Sequence, residues 1–110
     1  EPSDYPLELR SYPPGSMMEW HVDEPLYDAP QLELVFTVVN DGDSVTQWRD
    51  GNGVIREEWT EPNSLLVIQA GGAEHRVTPI KRGGRQIVKA VFRRKEANKL
   101  KQAFEDTLQF

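Results

Sequence analysis

The sequence predicts a mainly β domain, a sandwich or barrel of about eight short strands followed by a single C-terminal helix. Three observations carry this expectation. Short stretches alternate apolar and polar residues, clusters of Gly, Pro, Asn and Asp break the chain every eight to twelve residues, and only the last stretch takes a helical period. With 110 residues, one domain spanning 1–110 is expected, its β core over about 5–93 and its helix over about 94–109.

The elements follow in order. Residues 6–11 read as a short strand, broken by Tyr12-Pro13-Pro14-Gly15, and residues 17–22 as a second extended piece carrying Trp20 and His21. Residues 23–31 hold two prolines and read as a loop. The clearest strand is 32–39, where Leu32, Leu34, Phe36 and Val38 alternate with Glu33, Val35, Thr37 and Val39. Both of its faces are largely apolar, which predicts a central position. Asn40-Asp41-Gly42-Asp43 is a turn, 44–49 a strand, and Asp50-Gly51-Asn52-Gly53 a second turn that pairs 54–59 back as a hairpin. Residues 64–69 form an apolar strand ended by Gly71-Gly72. Residues 75–79 follow as a short strand, 81–84 as a turn and 85–93 as a long final strand. Beyond Arg94, Ala97, Leu100, Phe104 and Leu108 recur at spacings of three, four and four, the single apolar stripe of a helix.

Composition narrows the chemistry. No apolar run reaches the roughly 18 residues of a membrane span, and no charged-then-apolar leader opens the chain at Glu1. Compartment and oligomeric state stay open. With no cysteine, a disulfide framework and thiolate metal sites are excluded, so any metal must use histidine and carboxylate. The net charge is −5, yet ten of 13 Lys and Arg lie at or beyond Arg76. A basic C-terminal third can mark a nucleic-acid surface, but the acidic total and the absence of interleaved aromatics favour a solvated strand edge and helix face.

Only two histidines are present, His21 and His75. On a strand, residues i and i+2 share a face, so His21 and Asp23 can present an imidazole and a carboxylate together, and His75 is the one possible second imidazole. Two His and one carboxylate suit Fe(II) with open positions for a bidentate cosubstrate and oxygen, and zinc could use the same ligands. The stretch Gly71–Arg85, GGAEHRVTPIKRGGR, then places Arg85 ten positions after His75.

At these residues the sequence resembles the 2-oxoglutarate- and Fe(II)-dependent oxygenases, in their prolyl-4-hydroxylase-like branch. WHVDE after YPPGSMM carries part of the likeness, and HRVTPIKRGGR after LLVIQAGG carries the rest. The pattern His-x-Val-Thr-Pro-x-x-Arg-Gly-x-Arg of PKHD-type hydroxylases is met by His75, Val77, Thr78, Pro79, Arg82, Gly83 and Arg85. The likeness runs from about Leu7 to Phe92. It implies a double-stranded β-helix, or jelly-roll, with His21, Asp23 and His75 as iron ligands. It further implies that Arg85 pairs with the distal carboxylate of 2-oxoglutarate, for which a guanidinium fork is suited, and that Tyr12 lines the cosubstrate pocket. Fe(II), 2-oxoglutarate and O2 are the implied cofactor and cosubstrates, with ascorbate a candidate addition. The implied reaction is hydroxylation of a C–H bond, with a prolyl residue of a protein or peptide favoured over a small molecule and nucleic acid disfavoured. The alternative is a β-sandwich that binds a metal or acidic ligand without turnover.

Some residues depart from the pattern or read more plainly. Lys89, four positions after Arg85, shares its face and is a candidate contact to cosubstrate or substrate. Phe36 and Val38 stand where some relatives place a cosubstrate-bonding tyrosine. Trp48 and Trp59 flank the DGNG hairpin, where cross-strand aromatic packing is favoured over a substrate groove. Trp20 is expected to support the site from the opposite face. Asp41 and Asp43 read as turn residues rather than a calcium loop.

Overall fold

A computed structural model describes residues 1–100. Eight strands form: β1 (Glu8–Tyr12), β2 (Met18–His21), β3 (Leu32–Asn40), β4 (Thr46–Arg49), β5 (Ile55–Glu58), β6 (Ser64–Gln69), β7 (His75–Val77) and β8 (Arg85–Phe92). They make two four-stranded sheets of order β1-β8-β3-β6 and β2-β7-β4-β5, a jelly-roll sandwich with every strand pair antiparallel. Each strand coincides with one read from the sequence, and β7 stops early because the Thr78 hydroxyl and amide both bond to the backbone of Val45.

β3 is central, bonded to β6 on one side and β8 on the other. Its Glu33 and Val35, with Leu66 and Ile68 of β6 and Arg85, Ile87 and Lys89 of β8, face the space between the sheets. The alternate residues turn outward, and Leu9, Leu32, Leu65 and Val67 leave that outer face apolar and exposed. A bulge near Val38 shifts the register between Thr37 and Val39, so both Thr37 and Asn40 are buried.

The turn after β3 locks the turn before β8. Asp41 Oδ1 accepts from the Gly84 amide at 2.8 Å, and Asp43 Oδ1 accepts from the Lys81 amide at 2.8 Å. The Lys81 amide, with a second bond from the Arg82 amide, holds the Asp43 carboxyl below its ordinary pKa. Gly83 has φ +75°, and a Cβ there would lie 2.2 Å from the Asp41 carbonyl oxygen. Only glycine fits, and this turn delivers the chain to Arg85.

The described part of the expected C-terminal helix is not helical. Residues 94–100 make a turn and an isolated bridge, Lys99 with Tyr27, and the remainder of that expectation lies outside the described residues. The physical reason is competition for backbone groups. The Leu100 amide bonds to the Leu26 carbonyl, the Asn98 amide to Asp28 Oδ1, and Arg93 donates to the Ala97 carbonyl. The contacts of Leu100 and Asn98 with the loop between β2 and β3, and that of Arg93 with Ala97, replace the i to i−4 ladder. Among the described residues no helix is long and apolar enough to cross a membrane.

Candidate metal and anion site

The two histidines meet because β2 carries a bulge. Met18 pairs with Val77, so a regular antiparallel register would set Trp20 opposite His75. The register shifts between Met18 and His21, and His21 pairs with His75 instead, their ring centroids 4.3 Å apart. One extra residue thus aims His21 rather than Trp20 into the sandwich. Trp20 lies on the opposite face, with the Arg49 guanidinium 4.6 Å and the Arg76 guanidinium 5.1 Å from its ring centre, as a support behind the site.

Both imidazoles are held the same way. His21 Nδ1 lies 2.6 Å from the Glu19 carbonyl oxygen, and His75 Nδ1 lies 2.9 Å from that of Ala73. A carbonyl only accepts, so each Nδ1 carries the proton and each Nε2 offers a lone pair. That arrangement fixes the tautomer required of a metal ligand. Asp23 lies just past the end of β2 rather than on a strand, yet its Oδ1 stands 3.5 Å from His21 Nε2 and 3.7 Å from His75 Nε2. The backbone holds it there, because the Gly71 amide bonds to the Asp23 carbonyl at 2.9 Å. One ligand atom from each of the three residues lies within 4.8 Å of the others. Donors bound at about 2.1 Å to one ion stand roughly 3.0–3.4 Å apart, so the trio could hold a metal ion after small adjustments.

Arg85 opens β8 opposite Tyr12 of β1, its guanidinium carbon 5.9 Å from the tyrosine ring centre. Only 6% of the residue is exposed, and burial lowers its pKa. Its Nε has no hydrogen-bond partner, and no carboxylate among the described residues pairs with it. A buried cation is costly unless paired, so this guanidinium is poised for an anionic ligand. It lines the same cavity as His21, Asp23, His75 and Tyr12.

Lys89 also faces the cavity, but it turns to Glu33, with Nζ 3.7 Å from Oε2. The sequence reading passed over Glu33. Its signal was a carboxylate on the inward row of a central strand, where charge is rare without a purpose. Phe36 and Val38 do not line the cavity, because the strand's parity gives that face to Glu33 and Val35. Trp48 and Trp59 do not pack together either. Trp48 pairs with Arg56 across the hairpin and lines a neighbouring groove beside His75, while Trp59 donates to the Gly42 carbonyl.

No family model and no curated protein matches the sequence. Among solved structures, a prolyl-4-hydroxylase from Pseudomonas putida superposes with a TM-score of 0.70 at 23% identity. The match covers 84% of this chain and 52% of that one, so the chain spans about half the length of the solved protein. At that identity the likeness establishes the fold.

Proposed function

We propose that the chain is an Fe(II)- and 2-oxoglutarate-dependent hydroxylase acting on a prolyl C–H bond, in a protein, a peptide or the free imino acid. The observation that carries this reading is one cavity holding two tautomer-fixed histidines, an aspartate and a buried arginine with no carboxylate partner among the described residues. The prolyl-4-hydroxylase fold match supports the reaction class. His21 Nε2, Asp23 Oδ1 and His75 Nε2 would hold the iron, and Arg85 the distal carboxylate of 2-oxoglutarate.

Bound iron with 2-oxoglutarate supplies the oxidising power: keto acid, O2 and a C–H bond become succinate, CO2 and a C–OH group. The protein's own part is to bind, orient and keep water out. Glu19 and Ala73 fix the imidazoles through their carbonyls, while Gly71 fixes the Asp23 backbone. Tyr12 packs on the guanidinium, and Ile87 and Leu66 give the cavity apolar walls. No side chain has to take a proton.

The test is oxygen- and iron-dependent succinate release from 2-oxoglutarate, with His21→Ala and Arg85→Ala beside the wild type. A proline-containing peptide and free L-proline are then checked by mass for one added oxygen atom. Undiminished turnover in both variants would remove the site assignment. Metal binding without any succinate release would leave a ligand-binding sandwich instead.

A further inference from the structure

Glu33 and Lys89 are a charged pair inside the same cavity that neither the metal nor Arg85 uses. Glu33 is 5% exposed and its carboxylate is incompletely satisfied. One oxygen, Oε1, accepts a long bond of 3.4 Å from Gln31 Nε2, and the other, Oε2, is buried with no hydrogen-bond partner among the described residues. Lys89 Nζ stands 3.7 Å from Oε2. A charge-assisted N–H···O bond is about 2.7–2.9 Å, so the pair attracts without satisfying the buried Glu33 oxygen, while Lys89 stays partly open to solvent. Gln31, itself fully buried, accepts from the Leu26 amide and donates to the Glu24 carbonyl. Glu33 is thereby tied to the loop that follows Asp23.

The pair lies away from Arg85. Lys89 is four residues farther along β8, about 13 Å at a strand's rise per residue, and Glu33 is opposite Val91, farther still. A lysine drawn toward Glu33 is drawn away from the carboxylate that Arg85 would hold. Anchors that far apart can hold different molecules, a cosubstrate at Arg85 and a primary substrate at Glu33 and Lys89.

We infer that Glu33 and Lys89 recognise the zwitterionic head of a free amino or imino acid, the substrate's ammonium donating to Glu33 Oε2 and its carboxylate accepting from Lys89 Nζ. This rests on the hydroxylase reading and narrows its substrate class. A head group with both charges on one carbon spans an acid and a base 3.7 Å apart from a single side. Its zero net charge also matches a pair of zero net charge, so no unbalanced charge is buried. A trans peptide unit fits less well, because its N–H and C=O point in opposite directions and cannot meet both partners from one side. Glu33 and Lys89 are specificity-determining residues in this scheme, separate from the metal ligands.

Calorimetric titration of the metal-free protein with L-proline, followed by the other common amino acids, tests the inference without relying on turnover. Saturable binding of a free amino acid is expected, weakened at least tenfold in both Glu33→Gln and Lys89→Met, with N-acetyl-L-proline amide failing to bind. Circular dichroism and zinc binding of the two variants should match wild type. The inference is overturned if no free amino acid binds, if the capped proline binds as well as the free one, or if both variants bind like wild type. Failure of the wild type to bind metal or release succinate would count instead against the hydroxylase reading, and amino-acid binding would stand by itself.

Discussion

The metal corner and the arginine corner of the cavity are built on opposite principles. At the metal corner both imidazoles are pre-satisfied on their far side. The imidazoles donate to the Glu19 and Ala73 carbonyls, so only the Nε2 lone pairs look inward. At the arginine corner the buried guanidinium lies near a tyrosine ring and keeps an Nε without a partner among the described residues. The first corner is preorganised at little cost to the fold, while the second stores a desolvation cost that a ligand can relieve. The difference predicts that removing a metal ligand harms function and spares stability, whereas removing the arginine harms function and raises stability.

The largest effect is expected at the metal corner. His75→Ala should weaken Fe(II) or zinc binding by more than about a hundredfold, beyond what loss of an outer-shell partner produces. Equilibrium dialysis checks this, and near-wild-type affinity would dissolve the triad. Next comes Arg85→Met, expected to lower 2-oxoglutarate affinity about a hundredfold by leaving its distal carboxylate unpaired. The same change should raise the melting temperature of the ligand-free protein, by about 1 kcal/mol of stability. The sign follows from burial, which lowers the folded pKa of Arg85. The charged form is thus penalised at every pH below that value, neutral pH included, and the penalty fades only in strong alkali. A melting temperature that falls in Arg85→Met would mean that the guanidinium is already well paired.

Smaller effects probe the turn that aims the arginine. Gly83→Ala should cost roughly 2 kcal/mol through its left-handed backbone and the clash with Asp41, and should reduce 2-oxoglutarate binding with it. Urea denaturation and titration together test the coupling. Because the Lys81 amide depresses the Asp43 pKa, stability from that contact is present above the ordinary carboxylate range and is lost as pH falls through the lowered value. Asp43→Asn should therefore flatten the acid limb of a pH–stability curve. Smallest is Tyr12→Leu, which removes a cation–π contact worth about 0.5–1 kcal/mol and should weaken 2-oxoglutarate by a few-fold.

Much of this was legible in the sequence because local rules agree with the tertiary outcome. Period-two alternation and Asn-Asp-Gly turns place all eight strands, and i, i+2 parity puts Lys89 on the cavity side with Arg85. What escaped depends on register and on partners remote in the chain. The bulge in β2 leaves no mark in composition, yet it decides that His21 faces His75. Asp23 reaches the site from beyond the strand end, held through Gly71. The stripe of Ala97 and Leu100 pointed to a helix, but the loop at Leu26 and Asp28 captures those backbone groups first. Glu33 escaped because both faces of its strand read as largely apolar, which pointed to a central position and not to a charged contact in the cavity.

The measurement that bears most directly on the hydroxylase reading is an anaerobic titration of 2-oxoglutarate into the protein with and without Fe(II). Iron and keto acid sharing one cavity predicts that each tightens the other by the same factor, at least tenfold, and that Arg85→Met weakens keto-acid binding whether or not iron is present. Equal affinity with and without iron, or binding that ignores Arg85, would contradict the account.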